Sequence, residues 1–500
     1  MSLCCVIWQS WYSDDYPLGA IFRQERGTHI PTLTARARLL YSSGVVNYAL
    51  KDAAFGAFIL FYYKQVLGLS GTLTGIAIAI SIIWDAVSDP LVGAWSDNLR
   101  TRWGRRHPLM LASVLPIALS FIALFAPPAA ALQSQTVLFF WLLGTVIALR
   151  TGLTFFMIPY LALGAEIASD YHERTRLAST RTNLGWFVGV ATSAVALLLL
   201  FADNAGVDGR FIVENYQRYG WINAAAVLVF SAICLCGTWH YIPTLAKSTT
   251  TPGDHLLRNI LSTFRNRNFR YVVLLETAVG GMGGILSTLL MVNFTYFWEL
   301  STLQVSLLFG GPPILAIFIV TLSSGFLNRH LEKQQLLQLS CAVCALNFLW
   351  LTPLKLLGWL PEEAGIVFAL VFANYALWVT TTIMRTVASH AMLADIADEH
   401  ELETGQRQEG VMFAAAFFAS KFISGFGYIV AGPFLDLIGL DAGAQPGEVP
   451  RSVILGLGLI MGPGLAVLML IPVWMSFKLR VSLAGQLAVR KALHERSIGN

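Results

Sequence analysis

This chain is short of charge, and that shortage excludes most soluble proteins. Only 12% of its 500 residues are Asp, Glu, Lys or Arg, against 56% hydrophobic; soluble domains carry about 25% charged residues. Cysteine is scarce as well, six in all. Cys4 and Cys5 stand at the amino terminus, where acylation is one reading and a plain polar extension the other. Cys341 and Cys344 have metal or redox spacing but lie in an apolar run without a neighbouring His or second Cys pair, so they read as small buried side chains. No disulfide framework, metal site or cofactor is implied. Gly-x-Ser-x-Gly, His-Glu-x-x-His and phosphate-loop motifs are missing, which counts against a membrane-embedded enzyme. The first 35 residues lack the apolar core and cleavage site of a signal peptide.

What fills the chain is hydrocarbon-length apolar runs. They recur at roughly 41–66, 72–94, 108–128, 136–162, 183–202, 221–243, 271–297, 304–327, 335–357, 362–391, 411–437 and 452–476, each about 20 residues or more. The expected fold is an all-α membrane protein of twelve transmembrane helices in two six-helix halves. The expected divisions are an extension over 1–40, the first half over 41–243, a central loop over 244–270, the second half over 271–476 and a basic tail over 477–500. A weak echo between Gly93-Ala94-Trp95-Ser96-Asp97 and Gly325-Phe326-Leu327-Asn328-Arg329 supports a repeat.

Positive charge alternates from loop to loop. Arg100, Arg102, Arg105 and Arg106 follow span two, Arg174, Arg176 and Arg181 follow span four, and Arg258, Arg265, Arg267 and Arg270 fill the central connection. Both termini are basic, while the alternate loops hold only Lys64, Arg210, Arg218, Lys355 and Arg451. The positive-inside rule therefore puts both termini in the cytoplasm of a plasma (bacterial inner) membrane. The basic clusters set topology against anionic lipid and are not a nucleic-acid site.

Against this background a few polar residues sit where hydrocarbon is expected. Trp84-Asp85-Ala86-Val87-Ser88-Asp89-Pro90 puts two acids four residues apart, hence on one helix face. A carboxylate there costs roughly 2.5–3.5 kcal/mol, so such residues face a bundle interior or an aqueous cavity. Like charges so close hold a proton between them unless a cation neutralises them. That specifies a coupling site; the alternative is a pair of acids neutralised by a basic residue for assembly alone. Lys51-Asp52 in span one, Arg150 and Thr154 one turn apart in span four, and Lys421 in span eleven are the other intramembrane polar residues. In the first half Asp52, Asp85 and Asp89 oppose Lys51 and Arg150, an excess of one negative charge that a cation or proton would balance. Glu276 and Arg385 lie nearer the expected span ends and read as snorkelling or local pairs.

Three segments resemble the glycoside–pentoside–hexuronide:cation symporters, the branch of the major facilitator superfamily that contains melibiose permease. They are Trp84-Asp85-Ala86-x-x-Asp89-Pro90-x-x-Gly93 with Asp97-x-x-Arg100-Thr101-Arg102-Trp103-Gly104-Arg105-Arg106, Pro159-Tyr160-x-Ala162-Leu163-Gly164-Ala165-Glu166, and Ala394-Asp395-Ile396-Ala397-Asp398 with Thr404-Gly405-x-Arg407-x-Glu409-Gly410. The resemblance implies a major facilitator fold working by alternating access. It implies that Asp85, Asp89 and Thr154, with Ser88 in place of an asparagine, bind the coupling ion, H+ or Na+. Arg150 has no charged counterpart in melibiose permease, but one turn before Thr154 it lies on the same face as this expected site. The resemblance further implies that Lys51, Asp52, Arg181 and Lys421 serve the substrate, and that Gly93, Asp97, Arg100, Arg102, Gly104, Arg105 and Arg106 form a cytoplasmic gate. Met157 and Leu161 replace the family's second sugar-gripping acid and its stacking tryptophan, which argues against melibiose. The expectation is a monomeric symporter of a small polar solute, a glycoside or hexuronide. An amphipathic solute such as a lysophospholipid is the alternative, because related animal carriers also have an apolar residue beside the Pro-Tyr of helix four.

Overall fold

The computed structural model describes residues 33–168, 171–203, 206–244, 263–405 and 409–499. Among these, eleven helices are long and apolar enough to cross a membrane. They are α1 (Ala35–Val66), α2 (Gly71–Asn98), α3 (His107–Phe125), α4 (Gln135–Ile167), α5 (Tyr171–Leu199), α6 (Val213–Thr238), α7 (Arg267–Phe297), α8 (Thr302–His330), α9 (Lys333–Leu356), α10 (Ala364–Thr404) and α12 (Arg451–Lys478). The remaining helix, α11 (Glu409–Leu437), has Ile423–Leu437 as its shorter apolar stretch. A final helix, α13 (Leu483–Gly499), lies within the basic tail and is tied to α10 through Arg490 with Asp395 and Asp398, both at 3.5 Å.

Local sequence sets where these helices begin. Thr34, Ser70, Ser134, Asn266 and Ser301 each cap a helix by accepting a backbone N–H in the first turn. Thr34 starts α1 inside the stretch expected to be an extension. In α10 the helix runs on past residue 391 to Thr404. Its polar continuation is satisfied by partners from other elements, Lys333 pairing with Asp395 at 2.7 Å. The Gly280 and Gly284 face of α7 is a packing face: a Cβ at Gly284 would lie 2.2 Å from the Ser424 carbonyl of α11.

The better signature of a repeat is a turn rather than a sequence echo. At the end of α1, residues Tyr62–Val66 widen into a π turn, Gly68 takes φ +76°, and Ser70 caps α2. At the end of α7, residues Asn293–Phe297 widen in the same way, Glu299 takes φ +56°, and Ser301 caps α8. The hydrogen bonds correspond one to one. Leu67 N donates to Tyr62 O and Leu69 N to Tyr63 O, as Trp298 N does to Asn293 O and Leu300 N to Phe294 O. Glu299 does with a left-handed non-glycine residue what Gly68 does freely, which hides the match from the sequence.

Candidate functional site

Two rungs join α2 to α4. Arg150 donates through Nη1 to Asp85, and one turn further Thr154 Oγ1 donates to Asp89 Oδ1 at 2.8 Å. Both rungs connect residues 65 apart, so the helices run in the same direction in a single register. Asp85, Arg150, Ser88 and Thr154 are buried, while Asp89 is half-buried. Ser88 Oγ and Arg150 Nε are buried without a hydrogen-bond partner among the described residues, two polar atoms left available to a guest.

The third element is α1. Lys51 is buried and pairs with its neighbour Asp52, whose side chain is 55% exposed. The Lys51 ammonium also lies 3.9 Å from the centre of the Tyr48 ring. Phe55, one turn on, receives the Arg150 guanidinium at 5.0 Å and Lys51 at 6.0 Å from its ring centre. Two cations, each paired with a carboxylate, thus flank one aromatic ring. This stretch of α1 bulges into a π turn at Ala54–Phe58, a distortion frequent at functional sites.

Tyr428 of α11 closes the group from the other six helices, and sequence reasoning passed it over. It is buried, donates its hydroxyl to the Phe55 carbonyl at 3.3 Å, meets the Thr288 side chain and faces Arg150, Lys51 and Asp52. No charge or motif marks it in the sequence. Lys421 lies on the same helix, but its side chain falls outside the described residues.

The other substrate-class positions are spread out. Met157 is half-buried against the core, whereas Leu161 is 40% exposed on the surface of α4. Arg181 meets the Tyr41 hydroxyl, which donates to the Tyr160 carbonyl at 3.0 Å. Tyr41 is ten residues from Lys51, about 15 Å along α1, so Arg181 is not a member of the central cluster.

The gate motif divides in the same manner. Arg106 is buried and donates to Glu166 at 2.8 Å, to Ser96 at 2.8 Å and pairs with Asp97 at 2.7 Å; Arg105 reaches the same Glu166 oxygen at 2.8 Å. Gly104, at φ +76°, makes the turn that brings both arginines back onto α4. Gly93 packs loosely near Ile158, while Arg100 and Arg102 are exposed, Arg102 lying over Trp103. Glu166 is the hub, visible in the sequence only as part of the helix-four motif.

The family model described as MFS/sugar transport protein matches residues 40–481. The chain belongs to that family. It is 25% identical over 410 residues to the Inner membrane symporter YicJ of Escherichia coli (strain K12), covering 79% of this chain and 83% of that one. It is 21% identical over 420 residues to the isoprimeverose transporter of Lactiplantibacillus pentosus, covering 81% and 83%. A shorter match, 31% identical over 159 residues, is to the sodium-dependent lysophosphatidylcholine symporter 1 of Mus musculus, covering 31% and 30%. The fold is shared with the crystal structure of a mutant of the nucleoside transporter NupG, with a TM-score of 0.61 at 12% identity over 89% of this chain and all of that one. The protein is therefore a multi-pass membrane protein of the glycoside–pentoside–hexuronide symporter type, a secondary transporter of a small molecule and not an enzyme.

Proposed function

We propose that this transporter couples movement of a glycoside or hexuronide to a proton. The observation that carries the ion assignment is the Arg150–Asp85 pair. A sodium site made of two carboxylates works by their combined negative charge. Here a guanidinium, always charged, already meets one of them. Asp89, hydrogen-bonded to Thr154 and half-buried, is the carboxylate assigned to take up and release the proton. Asp52, with Lys51 holding it, is assigned to accept hydrogen bonds from substrate hydroxyls. Lys421 and Tyr428 are assigned to close on the substrate from the other six helices. Supporting the solute class are the relatives named for isoprimeverose and, in Escherichia coli (strain K12), for glucuronide.

In the same reading the protein works as a monomer in contact with membrane lipid. Residues 41–243 and 271–476 form the two rocking halves, the termini are cytoplasmic, and the Arg105–Arg106–Glu166 hub braces the cytoplasmic end. A lysophospholipid substrate is the second reading, favoured by the apolar side chains of Met157 and Leu161. The test is a thermal-stabilisation screen of the purified protein against glycosides, glucuronides and lysophosphatidylcholine, with sodium or potassium as the only cation. Stabilisation by a glycoside or glucuronide irrespective of cation is expected. Stabilisation by lysophosphatidylcholine alone would overturn the solute class, and a sodium requirement would overturn the ion.

A further inference from the structure

The end of the bundle remote from the gate motif carries two acid latches that receive equivalent helix starts, those of α2 and α8. At the first, Asp436 near the end of α11 receives the start of α2. Its carboxylate accepts from Gly71 N at 2.9 Å, Thr72 N at 2.7 Å, Thr72 Oγ1 at 2.7 Å and Ser70 Oγ at 3.1 Å, and pairs with Lys64 at 2.7 Å. At the second, acids just beyond the end of α5 receive the start of α8. Thr302 Oγ1 donates to Asp203 at 2.7 Å and to Asp208 at 3.1 Å. Asp208 in turn pairs with Arg210, which donates to Thr295 Oγ1 and to the Leu300 carbonyl, each at 2.9 Å. Thr302 is the counterpart of Gly71, and Thr295 of Lys64, when the two π turns are superposed residue by residue.

Each latch ties one six-helix set to the other. α11 clamps α2, and the segment after α5 clamps α8. Beneath the latches the seams are tight: a Cβ at Gly75 of α2 would lie 2.3 Å from the Tyr428 carbonyl, and Ser306 of α8 donates to the Ala194 carbonyl of α5 at 2.7 Å. The helix held by the first latch is also the helix that carries Asp85 and Asp89 at its middle and Ser96 and Asp97, bonded to Arg106, at its other end.

We propose that Asp436 is a positioning residue of the transport cycle: with Asp208 of the second latch, it holds the remote end closed, and its release from the start of α2 lets both seams open together. A carboxylate accepting charge-assisted bonds from a helix start and an ammonium is a strong single point of attachment. Replacing Asp436 by Asn removes the charge while keeping the size.

The experiment reads the seam that Asp436 does not touch. In a background with all six cysteines replaced by alanine, Ser306→Cys, buried in the α5–α8 seam, is labelled by a maleimide in detergent, so that both ends are accessible to the reagent. Ser113→Cys, buried within α3, reports loss of fold. Asp436→Asn is expected to speed labelling at position 306 by roughly fivefold or more while position 113 stays protected. Lys64→Gln, which cuts the same latch without touching Asp436, is expected to act in the same direction to a smaller extent. Thr302→Val, which cuts the second latch, is expected to speed labelling of Thr74→Cys, buried in the first turns of α2. Unchanged labelling at 306 in both Asp436→Asn and Lys64→Gln would overturn the proposal. Equal gains at 306 and 113 would also overturn it, showing a residue that merely holds the fold.

Discussion

Among the described side chains, the first six helices and the last six hold their intramembrane charge differently. In α7 and α10, Glu276 and Arg385 form a matched pair at 2.7 Å with side chains 12% and 7% exposed, and the His390 ring lies close by. The equivalent helices of the first set, α1 and α4, contribute Lys51, Asp52 and Arg150, and α2 adds Asp85 and Asp89, so that three carboxylates and two cations of this set lie among the described residues. A matched pair in a dry interior is a fixed fastening: breaking it strands a charge, but it has no use for a mobile ion. In the proposed function, Asp89 of the first set takes up its proton from solution during the cycle. In that proposal the repeat carries one copy used as a fastening and one used as a site.

The sharpest way to break this contrast is Asp89→Asn. It is expected to abolish concentrative uptake of a glycoside into membrane vesicles while leaving exchange of bound substrate, since binding does not need the exchangeable charge. Concentrative uptake at the normal rate would erase the distinction between the two sets. The reverse test falls on the fastening. Arg385→Met leaves Glu276 buried without its cation and is expected to lose about 3–5 kcal/mol of stability, read as a large drop in melting temperature. Adding Glu276→Gln should restore most of that loss and leave transport near normal. A well-folded double variant without transport would make the second pair part of the site.

Within the first set, Asp52→Ala is expected to weaken glycoside binding by about tenfold or more, the loss of charge-assisted hydrogen bonds of roughly 1.5–3 kcal/mol each. Isothermal titration would check it, and a change in ion dependence with unchanged substrate affinity would mean the roles are exchanged. The smallest effect is expected at the remote end. Burial pulls the Asp208 carboxyl up, but the bonds and charge of Arg210 together with Thr302 hold it below its ordinary value of 3.8. A depressed acid contributes stability that is complete above the unfolded value and is lost only as pH falls through the folded one. The stability difference between the protein and Asp208→Asn should therefore stay constant from about pH 8 to pH 5; a fall within that range would mean that Arg210 does not control it.

Much of the fold was legible because membrane helices are written in composition. Runs such as 136–162 and 335–357 coincide closely with α4 and α9, since hydrocarbon thickness dictates their length. The ends were less legible. Thr34 extends α1 and Lys333 supports the polar end of α10 through contacts that hydropathy does not record. In the site, Asp85, Asp89, Arg150 and Thr154 stand out because charge and its partners are rare in an apolar chain, and their spacing placed them on common faces. Tyr428 did not stand out, being one aromatic among many until α11 brings it to Phe55. The two latches were hidden for a related reason. Asp436 and Asp208 are ordinary acids in the sequence, and only the equivalence of the Gly68 and Glu299 turns reveals that they meet corresponding positions, Gly71 and Thr302. Arg181, a motif residue, is placed beside Tyr41, ten residues along α1 from Lys51.

The most direct test is uptake of a glycoside by proteoliposomes holding either the native protein or Arg150→Gly, driven by a pH gradient without sodium or by a sodium gradient at fixed pH. If the guanidinium stands in for a bound cation at Asp85, the native protein responds to the pH gradient and ignores sodium, and Arg150→Gly gains a sodium response as both carboxylates become available. Sodium-driven uptake by the native protein that is indifferent to the pH gradient, or no new sodium response in Arg150→Gly, would contradict it.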